Sequence, residues 1–339
     1  MCKVIAIANQ KGGVGKNTTT AATTTVAPTT EVPTTVAPTT EAPTTMAPTT
    51  QSKTSTVAIG EGSDVGKRMS GILEKVVREE WNMKKGILLV SFGSGNKEAV
   101  EETLGKLKKE AEERFPTYAI YQAFTSGQIR EKWREIYQIS VDSPEQAFCN
   151  MQQEGIEQVV VQPVYVVQGQ EFEKVRGQVE MWRKQFRLLK FGKPLLSQEE
   201  DYKRCVHVIG NRWPAESGKS RVIVGYGTKE SSQSAYGMLE YTFRMLGYSD
   251  VAVGTLSGYP AIQEVLWNLK QQKTETIEMI PFLLIRGEKA EREILHSETG
   301  WTARLQEEGY QVERVRSGLL ELEEIRRILL DHIEEAIEE

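Results

Sequence analysis

The chain has 339 residues, which is enough for one large domain or two domains of ordinary size. Its hydrophobic content of 39% and charged content of 26% are typical of a soluble globular protein. The net charge of −5 gives no electrostatic footprint for nucleic acid, and no apolar run approaches the roughly 18 residues that a membrane helix needs. Three cysteines without a CxxC pair favour neither a disulfide framework nor a zinc site.

The N-terminal leader, residues 1–20, contains the glycine-rich loop KGGVGK. Residues 1–16 resemble the first strand and phosphate-binding loop of partition ATPases of the ParA/MinD type. A working loop of this kind needs a hydroxyl for Mg²⁺ after its lysine and a helix behind it. Here Asn17 follows the lysine, and a segment rich in threonine and proline follows the loop. We therefore interpret residues 1–20 as a leader fragment and do not expect ATP as a ligand.

Residues 21–56 form a low-complexity linker with five copies of a five-residue unit, namely VAPTT, EVPTT, VAPTT, EAPTT and MAPTT. Because this segment contains no Leu, Ile, Phe, Tyr or Trp, it cannot bury a core, and we predict a disordered, semi-rigid stalk. Stalks of this composition are typical of exported or cell-surface proteins. No signal sequence precedes it, so the chain as written is expected in the cytoplasm. Residues 57–84 are then predicted to form a helical lead-in.

From residue 85 onward, short apolar runs alternate with amphipathic helical segments, which is the pattern of an α/β fold with parallel sheets. The segments GILLVSFGS, QVVVQPVYVV and TIEMIPFLLI are predicted strands. Helical spacing puts one apolar face on each of two predicted helices. These faces consist of Val100, Leu104, Leu107 and Ala111 in the first helix and of Leu322, Ile325, Leu329 and Ile333 in the last.

Three pairs of segments repeat in the same order along the body of the chain. LLVSFGS (88–94) matches VIVGYGT (222–228), FTSGQI (124–129) matches TLSGYP (255–260), and QPVYVVQGQE (162–171) matches IPFLLIRGEK (280–289). The repeat predicts two similar lobes, residues 85–205 and 206–339, each a parallel sheet flanked by helices. A cleft at the carboxyl ends of their strands is the expected ligand site.

Six segments of the body occur in a family-specific order: ILLVSFGSGNKEAVEETLGKL, AFTSGQI, VVVQPVYVVQGQEFEKV, KPLLSQEEDY, VGTLSGYP and IPFLLIRGEKA. Together they resemble the anaerobic sirohydrochlorin cobaltochelatase family of class II chelatases over about residues 85–337. The resemblance implies that the cleft binds a tetrapyrrole and that Co²⁺, the metal substrate of cobalamin biosynthesis, is inserted without ATP or a resident cofactor. Whether the chain forms a homo-oligomer stays open.

The chain departs from the family at the positions implied to bind metal. The family's His in GHGT is Tyr226 here, its Glu in GTVEGYP is Ser257, and its His in AGDHA is Lys289. A further family histidine, after QP in the first lobe, is Tyr165. Tyrosine and lysine have reference pKa values near 10 and 10.4, so neither is a ready base or metal ligand at neutral pH.

Three readings follow from these substitutions. In the first, the protein is a chelatase with relocated ligands, drawn from Glu230, Glu288 or His296, or with a Lys289 pKa lowered by burial. In the second, it binds a tetrapyrrole or metal without inserting it. Tyr226 then ligates haem iron, and Lys289 and Arg286 pair with macrocycle carboxylates. In the third, the lobes are an inactive scaffold or an interaction protein.

The substrate-binding residues expected from the first lobe are Ser91, Phe92, Gly93 and Tyr165, with Arg286 from the second. They follow predicted strands, where the cleft is expected. His332 is different, because it belongs to the acidic terminal helix, and we predict that it is solvated.

Overall fold

The computed structural model describes residues 83–296 and 298–339, which belong to one compact unit. The predicted leader, the Thr/Pro-rich linker and residues 57–82 of the helical lead-in lie outside the described residues. Within the described part, no helix has the length and apolar character required to cross a membrane.

The first half of the body contains a four-stranded parallel sheet in the order β2-β1-β3-β4. Its elements are β1 (Lys85–Ser91), α1 (Lys97–Val100), α2 (Lys106–Arg114), β2 (Tyr118–Phe124), α3 (Gly127–Tyr137), α4 (Pro144–Gln153), β3 (Gln158–Pro163), α5 (Gln170–Trp182), β4 (Leu188–Phe191) and α6 (Glu199–Arg212). A π-helical turn, Glu101–Gly105, joins α1 to α2, and a 3-10 turn, Arg183–Gln185, follows α5.

The second half contains another four-stranded parallel sheet, in the order β6-β5-β7-β8. Its elements are β5 (Lys219–Gly227), α7 (Ser234–Met245), β6 (Val251–Ser257), α8 (Ile262–Gln272), β7 (Thr276–Phe282), α9 (Glu288–Ala290), α10 (Gly300–Glu307), β8 (Gln311–Arg314) and α11 (Glu323–Glu338). A π-helical turn, Glu291–Leu295, continues α9, and 3-10 turns, Ser231–Gln233 and Leu319–Glu321, precede α7 and α11.

The apolar pattern explains why these segments form buried strands and covering helices. Residues 86–91 of β1 are all buried, as expected for a central parallel strand covered on both faces. The predicted helical stripe from Val100 to Ala111 is buried throughout, although the π-helical turn interrupts the α-helix. The predicted strands and the parallel α/β class are therefore confirmed.

The two halves repeat each other beyond the segments visible in the sequence. After β4, the backbone N–H groups of Leu195 and Leu196 donate to the carbonyls of Tyr165 and Val166, both at 2.9 Å. After β8, Leu319 and Leu320 donate in the same way to Leu283 and Leu284, at 2.8 and 3.0 Å. A long helix begins three residues after each Leu-Leu pair, so α6 and α11 are equivalent. The prediction of two similar lobes is confirmed.

The equivalent helices α6 and α11 are exchanged between the two halves. α6 packs on α7 of the second half, while α11 packs on β3, β4 and α2 of the first half and on α6 itself. Two ion pairs reinforce this contact between α11 and α2, Arg114 with Asp331 at 2.7 Å and Arg326 with Glu110 at 2.6 Å. The proposed lobe boundary at residues 205 and 206 falls inside α6 and stays a prediction.

The expectation that His332 is solvated is wrong. Its side chain is 1% exposed, and Nε2 lies 3.0 Å from Oδ1 of Asp201, which is equally buried at the α6–α11 contact. Burial by itself would raise the pKa of Asp201. The hydrogen bond and charge of His332, together with the backbone N–H groups of Ser197 and Gln198, outweigh burial and lower this pKa. The sequence misled because an acidic helix was taken to be solvated, whereas this helix crosses to the other half.

Candidate functional site

The carboxyl edges of the two sheets face each other. Ser232 Oγ, which precedes α7, donates to the carbonyl oxygen of Gln168 before α5, at 2.7 Å. Lys132 of α3 forms an ion pair with Glu288, which begins α9. These contacts join the loops that follow the strands of one sheet to those that follow the strands of the other. The region where a cleft was expected is thus bounded by both halves.

The three positions where the family resemblance implies metal ligands are called the family positions. All three end or follow adjacent strands at this edge. Tyr226 is the penultimate residue of β5, Ser257 ends β6, and Lys289 lies in α9 after β7. These are three neighbouring strands, because the sheet order is β6-β5-β7-β8. Tyr226 is 39% exposed and Ser257 is half-buried. The fold therefore gathers positions that are 63 residues apart in the chain into one edge.

A close backbone approach fixes the geometry between β5 and β6. Gly227 has φ +78°, and a Cβ there would lie 1.7 Å from the carbonyl oxygen of Ser257. The side chain of Gln233 bridges the two strands: its Oε1 accepts from Thr228 N at 2.6 Å, and its Nε2 donates to Thr255 Oγ1 at 3.1 Å. Sequence reasoning missed Gln233, because nothing in the pattern shows that its amide spans two strands.

Tyr236 lies directly behind this edge. Its hydroxyl accepts the backbone N–H of Gly227 at 3.2 Å, and burial raises its pKa to about 12. The phenol therefore remains protonated at neutral pH and acts as a fixed support for the end of β5.

The charged candidates of the second half have different surroundings. Glu288 is paired with Lys132, and Glu230 is exposed. His296 is exposed, and its Nδ1 accepts the backbone N–H of Glu298 at 3.2 Å. Arg286 forms an ion pair with Glu291, while its Nε is buried without a hydrogen-bond partner. Among the described residues, no three His, Cys, Asp or Glu side chains are grouped so as to hold a metal ion.

The first-lobe candidates lie at the ends of β1 and β3. Ser91 is buried and Phe92 is 49% exposed. Gly93 has φ +87°, and a Cβ there would lie 2.7 Å from the ring of Phe124. Tyr165 is half-buried, and its hydroxyl lies 3.3 Å from Thr125 Oγ1.

Thr125 connects this tyrosine to a carboxylate. Its Oγ1 donates to Glu171 Oε2 at 3.2 Å. Burial, together with the nearby charge of Glu171, raises the pKa of Tyr165 above its ordinary value. Tyr165, at the position where the family resemblance implies a histidine, is therefore a neutral phenol.

Comparison with known families identifies this two-sheet body. The sequence profile of the family "Cobalt chelatase (CbiK)" matches residues 85–338. The chain belongs to this family. The match agrees with the resemblance drawn from six segments and covers both sheets with the helices that they exchange.

Two sirohydrochlorin cobaltochelatases are among the relatives of this cobalt chelatase family member. One, from Salmonella typhimurium (strain LT2), is 26% identical over 257 residues, which are 75% of this chain and 97% of that protein. The other, named CbiKC, from Nitratidesulfovibrio vulgaris (strain Hildenborough), is 30% identical over 259 residues, which are 75% of this chain and 91% of that protein.

Solved structures agree on the fold. SirB from Bacillus subtilis with Fe³⁺ has a TM-score of 0.54 at 16% identity and aligns over 75% of this chain and 96% of its own. The sirohydrochlorin chelatase SirB from Bacillus subtilis subspecies spizizenii, in complex with cobalt, has a TM-score of 0.53 at 16% identity, over 76% and 96%. At this identity the likeness supports the architecture alone.

The internal repeat gives each family position a counterpart in the first lobe. The matched segments align Phe92 with Tyr226 and Ser126 with Ser257. They also align Glu171 with Lys289. Sequence reasoning named only Phe92 of these counterparts, although the repeat already contained the signal for the other two.

Proposed function

We propose that this chain binds a sirohydrochlorin-type tetrapyrrole where the carboxyl edges of its two sheets meet, as a cobaltochelatase-like protein whose metal substrate is Co²⁺. The observation that supports this proposal is that Tyr226, Ser257 and Lys289 end or follow three adjacent strands, opposite the edge of the other sheet. Ligand sites commonly lie in such crevices beyond the carboxyl ends of parallel strands. Both relatives described above are named for cobalt insertion into sirohydrochlorin.

Metal insertion makes three chemical demands on such a cleft. The macrocycle must be held with its pyrrole nitrogens accessible, and two N–H protons must be removed by a suitable base. The ion must also be held by ligands that release it, and imidazole with carboxylate suits Co²⁺. Tyrosine, serine and lysine at the three family positions supply neither group. Insertion therefore requires relocated ligands, for which the candidates are Glu230, Glu288 and His296.

A second candidate function is tetrapyrrole or haem binding without insertion. The specific observation in its favour is the phenol of Tyr226, which is 39% exposed at the end of β5. A tyrosine can ligate haem iron, as in catalase. In this case the chelatase fold is retained for binding a macrocycle, and Ser257 and Lys289 do not need to bind a metal ion.

The test is an anaerobic absorbance titration of the full chain with sirohydrochlorin and separately with haem, each before and after addition of Co²⁺. A triple variant, Tyr226→His with Ser257→Glu and Lys289→His, restores the family residues and runs beside the wild type. Tyr241→His is the matched control, because it adds a histidine at an exposed position of α7 outside the three family positions.

The outcomes separate the candidates. Cobalt insertion by the wild type supports a chelatase with relocated ligands. Macrocycle binding by the wild type, with insertion only by the triple variant, supports a binding protein on a chelatase frame. If neither macrocycle changes its spectrum with any variant, the proposal is wrong, and a scaffold or interaction role remains.

A further inference from the structure

The counterparts of the three family positions in the first lobe line one cavity. Phe92, Ser126 and Glu171 all border a space of about 420 Å³ beyond the carboxyl ends of β1 and β2. Thr125, Arg130, Glu145 and Lys174 also line this space. The repeat and the cavity are independent observations, one from the sequence and one from the packing, and they point to the same place.

The cavity contains two cations with different partners. Lys174 is neutralised by Glu171 in an ion pair. Arg130 is held by backbone oxygens: its Nη1 donates to the carbonyls of Phe124 at 2.5 Å and Thr125 at 3.3 Å. Within residues 83–296 and 298–339, no carboxylate pairs with Arg130. Its guanidinium is thus oriented by the protein but keeps donors for an anionic ligand.

Arg286, which the sequence suggested as a partner for macrocycle carboxylates, differs from Arg130 because it already has a carboxylate partner. Arg286 of the second lobe is already paired with Glu291, which also lies 3.5 Å from Arg316. A macrocycle carboxylate would have to displace that pair. Arg130 requires no such displacement, so the structure favours the first lobe for carboxylate recognition.

Phe92 supplies the apolar part of the same cavity. Its ring is 49% exposed beside Thr125, at the end of the central strand β1. A tetrapyrrole with acidic side arms presents a flat apolar ring system and carboxylates at its rim. An exposed aromatic ring beside a held guanidinium matches both features.

We infer that the first-lobe cavity binds a carboxylate arm of the tetrapyrrole, with Arg130 as the recognising cation and Phe92 in contact with the ring. This inference rests on the proposed function, because it identifies how the same macrocycle is oriented. It makes Arg130 a specificity-determining residue for acidic macrocycles rather than a residue of metal insertion.

The experiment measures dissociation constants of the full chain for uroporphyrin, which has eight carboxylates, and for its octamethyl ester, which has none. Arg130→Gln is compared with Arg134→Gln, a matched control that removes the same charge from an exposed position of the same helix, α3. A hydrogen-bonded charge pair corresponds to roughly ten- to hundredfold in affinity. We expect Arg130→Gln to weaken uroporphyrin binding by about this factor, with ester binding unchanged and Arg134→Gln equal to wild type.

Two controls keep the result interpretable. Arg130→Lys retains the charge without the paired backbone contacts and should bind uroporphyrin with intermediate affinity. Competition with citrate tests whether a free small carboxylate is the true ligand: Arg130-dependent citrate binding without uroporphyrin binding would overturn the assignment to the macrocycle.

Failure of the inference differs from failure of the proposed function. If wild type binds uroporphyrin and Arg130→Gln binds it equally well, the carboxylate site is refuted and tetrapyrrole binding stands. Equal loss of uroporphyrin and ester binding would make Arg130 a structural residue and refute its recognising role. If wild type binds no macrocycle, sirohydrochlorin included, the proposed function fails and the carboxylate site fails with it.

Discussion

The two halves of this chain share their topology but differ in the residues at their edges. Both sheets have the same strand order, and both are followed by a Leu-Leu pair bonded to the preceding strand connection and then by an exchanged helix. At the edges, however, Phe92 and Glu171 of the first half correspond to Tyr226 and Lys289 of the second. The remaining pair, Ser126 and Ser257, is serine in both halves. Buried apolar strands determine the topology, whereas residues after the strand ends are free to vary in chemistry.

A second asymmetry lies at the contact between the exchanged helices. Asp201 and His332 form a buried polar pair there. The repeat makes Ile325 the counterpart of Asp201 and Val208 the counterpart of His332. Ile325 belongs to the buried apolar core, and Val208 is partly buried against it. One half of a nearly symmetric contact is thus polar and the other apolar. Such a pair favours one arrangement of α6 and α11, because exchanging the two helices would leave the carboxylate of Asp201 without its partner.

The largest expected effect comes from breaking this polar pair. His332→Ala leaves the carboxylate of Asp201 buried without this hydrogen-bond partner, and loss of one partner of a buried charged group costs about 3–5 kcal/mol. We expect the free energy of unfolding, measured in urea, to fall by this amount. His207→Ala is the matched control, because this histidine is exposed on α6, and its effect should stay within about 0.5 kcal/mol. A loss below about 1 kcal/mol for His332→Ala would mean that the polar pair is not needed for the stability of the contact between α6 and α11.

The next effect distinguishes two equivalent glycines, Gly93 and Gly227. Both have positive φ, but a Cβ at Gly227 would lie 1.7 Å from a backbone oxygen, whereas one at Gly93 would lie 2.7 Å from the ring of Phe124. Because a ring can shift more easily than a strand, we expect Gly227→Ala to cost about 3 kcal/mol and Gly93→Ala about 2 kcal/mol.

The control for the glycine pair is Gly247→Ala, where φ is +89° and nothing lies within 4 Å of an added Cβ. It should show the backbone strain alone, about 1 kcal/mol. Urea unfolding of all three variants provides the comparison. Equal costs for all three would show that the close approach of β5 and β6 does not constrain the second edge.

The smallest expected effect is a change of stability with pH. The folded-state pKa of Asp201 is lowered, so its contribution to stability is complete above the ordinary pKa of aspartate and is lost as pH falls through the lowered value. The stability advantage of wild type over Asp201→Asn should therefore shrink as pH falls below about 4.

Urea unfolding across this pH range measures that advantage directly. Glu335→Gln is the control, since this carboxylate is paired with Lys193 at 2.9 Å and is much more exposed than Asp201. An advantage of wild type over Asp201→Asn that grows as pH falls below about 4 would contradict the lowered pKa of Asp201.

The amino-acid sequence by itself determined the parallel α/β class, the two lobes and the family of residues 85–338. Apolar runs such as Ile87–Val90 favour strands covered on both faces, and the spacing from Val100 to Ala111 favours a helix with one buried face. These are local patterns, so they are readable without knowledge of the fold. The choice of Tyr226, Ser257 and Lys289 as site positions also came from local motifs, and it stays a prediction.

Only the tertiary structure decided what surrounds those positions. That α11 crosses to the first half, burying His332 against Asp201, depends on contacts between residues 131 apart. That Arg130 is held by backbone carbonyls while Arg286 is already paired depends on side-chain geometry at the strand ends. The physical reason is that helical and strand periodicity report burial within one element, whereas partners of charged groups are set by which elements meet.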